Sequence, residues 1–331
     1  MTDPMMDTSS MKGTTSIRSP EAEVPADIDG ILLLDKPVGL SSAAAVARVK
    51  RLFNARKAGH TGSLDPLASG LLPICFGEAT KFSAQLLDAD KTYRVTARLG
   101  ERTPSADRES EVVERRELPA YSAPQLAAAL SDFPREYAQV PPMHSALKQD
   151  GKPLYEYARA GITRERAARA IVIHQMQLVD WQTPDFTFDV RCSKGTYIRV
   201  LAEDLAARMG TIAHLAALRR LGVDPFGAEP QLSLEALESM SAAQRREVLL
   251  PVDAALTCWR RLDLAAGGVI AFRQGQTVVL TELAIPAELP QSPPETVRIY
   301  AAGLGFLGLA QIQPAGRLVP LRLISAAMNR A

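Results

Sequence analysis

The chain has 331 residues, of which 47% are hydrophobic, 23% charged and 5% aromatic, and its formal net charge is +1. Such a composition belongs to a folded protein with a real core and, at this length, to two domains rather than one. Near-neutrality excludes a uniformly basic nucleic-acid binder and leaves only local patches; the few aromatics exclude an extended base-stacking platform.

The N-terminus, Met1 to about Asp29, is rich in Met, Ser, Thr and Pro and has no apolar h-region. It reads as a disordered leader over 1–29 and not as a secretory signal. No run is long and apolar enough to span a membrane, so no membrane partner is expected. Cys75, Cys192 and Cys258 are odd in number, far apart and in no CxxC pair. That spacing argues for a reducing, cytoplasmic setting and against a disulfide framework or zinc site. Cys75 and Cys192 sit in apolar or strand-like contexts and read as buried structural thiols.

Residues 30–34, GILLL, form an apolar run ended by Asp35-Lys36-Pro37-Val38-Gly39, a buried strand followed by a turn. Ser41-Ser42 offers an N-cap to a helix through about Phe53. Val46, Val49 and Phe53 share its buried face, and Arg48, Lys50 and Arg51 lie elsewhere. Then comes GHTGSLDPLASG, residues 59–70, with a single carboxylate, Asp65. No other acid stands between Asp35 and Asp65, whereas Lys36, Arg48, Lys50, Arg51, Arg56 and Lys57 do. A lone carboxylate approached through a basic run has the look of a reactive acid in a site for a polyanion. The plain alternative is a turn, which Gly and Asp-Pro favour by themselves.

Residues 71–76 are apolar, and residues 77–81 turn into a helix. Over residues 91–99, Tyr93, Val95, Ala97 and Leu99 alternate with Thr92, Arg94, Thr96 and Arg98, which predicts a strand with Tyr93 on its apolar face. Residues 100–119 read as a long polar loop. Ser122 caps a helix carrying Leu126, Ala129, Leu130 and Phe133, stopped by Pro134. Over residues 140–159, Lys148 and other basic residues mix with tyrosines. That mixture suits phosphate and base contacts or, equally, a packed helix with Tyr155 in the core. Residues 171–181 and 186–192 read as a strand pair. Ser193-Lys194-Gly195-Thr196 then turns into a helix whose first turn holds Arg199. Helix N-termini favour acids, so Arg199 is either an ordinary surface residue or has another partner, such as a carboxylate.

Residues 214–221 read as a short helix or turn, Ser241 and Gln244 as a capping box, and residues 251–260 as a linker. Short β-like segments come after it around Val278, 297–300, 307–311 and 318–323, a small β-rich C-terminal domain. Gly303-Leu304-Gly305-Phe306-Leu307-Gly308 fits GxGxxG but lacks the helix, second strand and acid that a dinucleotide site needs; a glycine-rich strand turn is the better account.

Several blocks match one family in order: GILLLDKP from Gly30, AGHTGSLDPLASG from Ala58, GEATKF from Gly77, KTY from Lys91, SALK from Ser145, LYEYAR from Leu154 and CSKGTYIR from Cys192. With these the chain resembles the bacterial tRNA pseudouridine-55 synthases of the TruB type, closely over about 28–221 and loosely beyond. The resemblance implies an α+β fold. A pseudouridine-synthase catalytic domain over 30–250 would have a mixed, largely antiparallel sheet with flanking helices. It would carry an RNA-gripping insertion over about 141–169 and be followed by a small β-rich PUA-like domain over 259–331. The resemblance further implies isomerisation of one uridine in the tRNA TΨC loop. The base flips out, and an Asp65-dependent step breaks the glycosidic bond before it re-forms at carbon. No net redox occurs, so no metal or organic cofactor is expected.

By the same resemblance Asp65 is the catalytic carboxylate, Arg199 its ion-pair partner and Tyr93 the aromatic that stacks on the target base. His60 occupies the space the base leaves. Lys36, Lys194 and Leu218 match pocket positions. Arg48, Lys50, Arg51, Arg56 and Lys57 would contact phosphates, and Lys148 would contact RNA from the insertion. His144 stands where a Tyr is familiar, which departs from the family pattern. The expected partner is tRNA, bound by a monomer without a guide RNA. Rival readings are an RNA-binding, tRNA-folding chaperone without essential catalysis, a guide-RNA-dependent relative, and a glycoside hydrolase. The last needs paired carboxylates, for which Glu78 is the nearby candidate.

Overall fold

A computed structural model describes residues 25–280 and 294–325. The leader expected over 1–29 lies outside the described residues up to 24. Its last residues are packed rather than loose: Ala26 bridges Ala55, and Ile28 is buried.

In chain order the first twelve strands are β1 (Gly30–Lys36), β2 (Ala58–His60), β3 (Ala68–Phe76), β4 (Lys91–Leu99), β5 (Glu101–Arg102), β6 (Glu114–Arg115), β7 (Glu136–Gln139), β8 (Lys148–Gln149), β9 (Lys152–Pro153), β10 (Arg169–Gln182), β11 (Asp185–Cys192) and β12 (Ala213–Val223). Strands β5 and β6, and β8 and β9, form separate short pairs. The others make one eight-stranded sheet in the order β1-β3-β12-β4-β11-β10-β7, with β2 also on β3. Only β3 and β12 run parallel within it, so the sheet is mixed and largely antiparallel, as the resemblance implied. The helices are α1 (Ser42–Leu52), α2 (Ser83–Asp88), α3 (Ala123–Ser131), α4 (Leu154–Arg159), α5 (Ile198–Arg208), α6 (Leu234–Ser239), α7 (Ala242–Glu247) and α8 (Ala266–Arg273).

The apolar runs of β1 and β3 show no polar alternation because both faces of these strands are covered. Leu32, Leu34, Leu72 and Ile74 enter the main core with α1 residues Ala45 and Val49 and α5 residues Leu201 and Leu205. Ile31, Leu33, Leu71 and Cys75 face the other way, into a second cluster that takes in Tyr300, Phe306 and Leu309. Those three belong to the second sheet. It is built from β13 (Arg260–Leu264), β14 (Val278–Val279), β15 (Glu295–Ala301), β16 (Gly305–Gln313) and β17 (Arg317–Leu323), in the order β13-β15-β16-β17-β14.

Three expectations change. Residues 214–221 are not a helix or turn: they lie in β12, between β3 and β4. Their Ala, Leu and Arg favour helix locally, but pairing on both edges overrides that preference. Residues 251–260 are not a slack linker, since Val252, Ala255 and Leu256 are buried in the second cluster. Tyr155 is exposed on α4 and not in the core. The GxGxxG string forms the β15–β16 turn and the start of β16, with positive φ at Gly303 and Gly305.

One row of residues crosses four strands of the main sheet. Lys36 on β1 pairs with Gly70 on β3, Gly70 with Arg220 on β12, and Arg220 with Tyr93 on β4. Cross-strand neighbours project to the same face. Gly70 has φ +99°, and a Cβ there would run into the Arg220 backbone carbonyl, so only glycine admits this approach of β3 to β12.

Candidate active site

The loop between β2 and β3 carries Asp65, and local hydrogen bonds fix it from several sides. Ser42, at the start of α1, accepts from the Leu64 amide at 2.7 Å and donates to the Leu64 carbonyl at 3.0 Å. The Gly39 amide donates to the Pro66 carbonyl at 2.7 Å, and the Ala68 amide to the Asp65 carbonyl at 3.0 Å. Leu64 and Leu67 are buried anchors on either side. The turn residues thus do structural work, and that work holds Asp65 in place.

Arg199 meets Asp65 there: its Nε lies 3.0 Å from the Asp65 Oδ2. The Arg199 side chain is 6% exposed and that of Asp65 41%, so a buried cation orients a carboxylate that remains open to a ligand. The other guanidinium nitrogens donate to the Ser105 carbonyl at 3.1 Å and the His144 carbonyl at 2.7 Å. Since His144 contributes its backbone, a change of side chain at that position leaves the contact available. A second carboxylate, Asp107, sits 3.9 Å from the Arg199 Nε and is itself held by the Ser105 hydroxyl at 2.6 Å and the Glu109 amide at 3.0 Å. The odd place of an arginine in the first turn of α5 is explained by these two acids.

Two clefts share the Asp65–Arg199 wall. The first, of about 310 Å³, is lined by Tyr93, Leu218, Arg220, Lys91 and Leu87 among others. The second, of about 570 Å³, is lined by His60, Glu109, His144, Tyr155 and Arg159 among others. The first lies at the lower end of small-ligand pockets, ~300–1,000 Å³. Burial pushes the Tyr93 phenol above its ordinary pKa, and the neighbouring Arg220 guanidinium opposes this. Burial also lowers the His60 pKa, with Arg220 adding to the effect. The His60 Nδ1 is buried and has no hydrogen-bond partner among the described residues.

The structure therefore brings Asp65, Arg199, Tyr93 and Leu218 to one cleft and His60 to its neighbour. Lys36 does not reach solvent and lines neither cleft. It is fully buried, and its Nζ donates to the Pro37 carbonyl at 2.9 Å and the Leu40 carbonyl at 2.7 Å. Burial lowers its pKa to about 8, with Asp65 opposing and Arg220 adding. Lys194 is exposed and pairs with Asp88 at 3.0 Å. Lys50, Arg51 and Lys57 are exposed; Arg48 pairs with Glu238 at 2.5 Å and Arg56 with Asp27 at 3.2 Å. Lys148 is exposed beside a separate small cleft with Arg166 and Arg169.

Sequence reasoning missed Asp107, Lys91 and Arg220 as parts of the site. Lys91 was visible in the KTY block, two residues from Tyr93 on the same strand face, and that spacing was the available signal. Asp107 lay hidden in a polar loop, and Arg220 in a segment read as a short helix or turn. Glu78 lines neither cleft and is held by Lys81 and by the Ser325 amide, so it does not pair with Asp65 for hydrolysis. Among the described residues no group of three or more His, Cys, Asp and Glu side chains is placed to hold a metal ion, and no helix is long and apolar enough to cross a membrane.

Residues 50–198 match the family model described as TruB family pseudouridylate synthase (N terminal domain). Residues 199–257 match the tRNA pseudouridylate synthase B C-terminal domain, and residues 261–324 match Pseudouridine synthase II TruB, C-terminal. The chain is 52% identical over 297 residues to the tRNA pseudouridine synthase B of Burkholderia mallei, a match covering 90% of this chain and 97% of the other. It is 51% identical over 315 residues to that of Ralstonia nicotianae, covering 92% and 98%. A solved chain in a Cbf5-Nop10-Gar1 complex superposes with a TM-score of 0.67 over 89% of this chain and 84% of the other, at 23% identity; that likeness concerns the fold alone.

Proposed function

The chain belongs to the TruB family of pseudouridylate synthases, and on that premise we propose that it isomerises uridine to pseudouridine at position 55, in the TΨC loop of tRNA. The observation that carries this reading is the Asp65–Arg199 pair at 3.0 Å, standing as the wall of a cleft that also holds Tyr93.

The target nucleotide leaves its stack, at a cost on the order of a few kcal/mol. Stacking on Tyr93 returns roughly 1–3 kcal/mol, and Leu218 adds apolar wall. His60, with an unpartnered ring nitrogen, fills the gap in the loop and can donate to or accept from RNA there. Asp65 then acts at the nucleoside. In net, the C1′–N1 bond breaks, the uracil turns, a C1′–C5 bond forms and a proton passes from C5 to N1. Atoms and electrons balance without an oxidant, reductant or cofactor. Tyr155 and Arg159 at the second cleft, with the exposed Lys50, Arg51 and Lys57, would hold the flanking RNA, as would Lys148 and the rest of the insertion over 141–169. The PUA-like second sheet would add contacts elsewhere on the tRNA.

The test uses the purified chain alone on an unmodified tRNA transcript, with pseudouridine mapped by position. The reading expects one modified site, at position 55. Full activity in Asp65→Ala, modification elsewhere, or dependence on a second RNA would each overturn part of it.

A further inference from the structure

Three routes are open to Asp65, and they differ at the sugar but agree at the base. If the carboxylate attacks C1′, the C1′–N1 bond breaks and its electron pair leaves on N1. If it takes a proton from C2′, a C1′=C2′ bond forms and the same pair leaves on N1. If it adds to C6, the C5=C6 electrons pass to the C4 carbonyl as an enolate. Every route places a negative charge on the ring, beside the buried Tyr93, Lys91 and Arg220 side chains, and a preorganised cation is worth most where the surroundings are buried. Arg199 is already committed to Asp65, Asp107 and two backbone carbonyls.

Two further cations line the base cleft. Lys91 donates from its Nζ to the Leu86, Leu87 and Ala89 carbonyls at 3.1, 2.7 and 2.7 Å, so its three protons are spent on closing the end of α2. Arg220 is different. It is 1% exposed and is the largest fully buried side chain among the described residues. Its Nε donates to the Leu71 carbonyl at 2.7 Å and its Nη2 to the Gly62 carbonyl at 3.1 Å, and its charge opposes the rise that burial imposes on the Tyr93 pKa. Both acceptors are neutral oxygens; among the described residues no carboxylate forms a salt bridge with Arg220. A buried charge without a counter-charge is costly, and structure alone does not require it here, because a carbonyl clasp needs donors and not a net charge. The sheet register sets Arg220 directly beside Tyr93, the residue on which the base would stack.

We propose that Arg220 is the charge-balancing residue of the reaction: its guanidinium and the Tyr93 hydroxyl it polarises together stabilise the negative charge placed on the uracil ring. This rests on the proposed function, which wild-type conversion of uridine in tRNA reads separately.

The experiment compares single-turnover rates on tRNA carrying uridine or 5-fluorouridine at the target position, read as loss of the C1′–N1 bond. Fluorine withdraws electrons and takes over part of the cation's role. For Arg220→Gln the rate on uridine should fall ~10²- to 10³-fold, the range for losing one preorganised donor to a developing anion. The deficit on 5-fluorouridine should be distinctly smaller, with tRNA affinity little changed. Arg220→Lys, which keeps the charge, should restore the wild-type ratio of the two substrates even where its absolute rate stays low. Tyr93→Phe removes the polarised hydroxyl without touching the Gly62 or Leu71 clasp, and should show the same asymmetry to a lesser degree, whether or not the Gln variant folds. Equal deficits on the two substrates in either Arg220→Gln or Tyr93→Phe overturn the proposal, because a displaced loop or a loosened sheet does not distinguish one base from the other.

Discussion

The site and the seam between the two sheets are both buried, but by different means. At the seam, Phe306 packs on Phe82 with ring centroids 5.5 Å apart and on Tyr300 at 5.4 Å, over Ile31, Leu33 and Leu71. Polar groups there close the rim: the Tyr300 hydroxyl donates to the Asp253 carboxylate, and Arg298 donates to the Trp259 carbonyl at 2.9 Å. At the site, Lys36, Lys91, Arg199 and Arg220 are all buried, and backbone carbonyls supply many of their contacts. Apolar burial at the seam stabilises the fold through area and shape, which tolerate modest change. Charge burial at the site works against stability and is retained where oriented charge is needed, so the two regions should respond to substitution in opposite ways.

Asp65→Asn sets the largest expected effect. Pseudouridine formation should drop at least ~10⁴-fold, as for other removed reacting groups, while the thermal midpoint hardly moves because the side chain is partly exposed. A comparable loss of stability would mean that the site is also a structural keystone and would erase the contrast. Phe306→Ala tests the other side. Its lost ring should cost about 3–5 kcal/mol in denaturant unfolding, with the folded fraction retaining its single-turnover rate. The same seam makes removal of everything beyond Leu250 a poor probe of tRNA contacts, since it would bare Ile31, Leu33 and Leu71.

Two smaller effects separate the regions further. Lys50, Arg51 and Lys57 changed together to Gln should weaken tRNA binding and flatten its salt dependence by about 0.7–0.9 in slope for each phosphate no longer neutralised. No change in slope would move the RNA path off α1 and the segment that follows it. The buried lysines give a pH signature. Burial lowers both Lys36 and Lys91 to about 8 from 10.5. Between those values the unfolded chain binds more protons than the folded one, so their contribution to stability rises as pH climbs from about 8 towards 10.5. Below about 8 both states hold the protons and the contribution is constant. Lys36→Met should reduce the slope of stability against pH in that window, which unfolding titrations at several pH values would measure.

Much of the molecule was legible because its signals are local. Alternation along Tyr93, Val95, Ala97 and Leu99 marks β4, Ser241 with Gln244 makes the capping box of α7, and Gly62, Asp65 and Pro66 mark a turn whatever surrounds them. The ordered motifs around Asp65, Tyr93 and Arg199 placed the site in the sequence. What they could not place are contacts between residues far apart. Arg220 reaches a carbonyl 158 residues away, at Gly62, and Arg199 one 94 residues away, at Ser105. Strand β12 has the composition of a helix and becomes a strand only because β3 and β4 flank it. Lys36 reads as one cation of a basic run and a match to a pocket position, and only the fold shows it fully buried. Local chemistry in the sequence determined the loop, the caps and the alternating strands. Tertiary structure alone decided which charges are buried together, because burial and counter-charge are properties of neighbours that the chain brings together only when it folds.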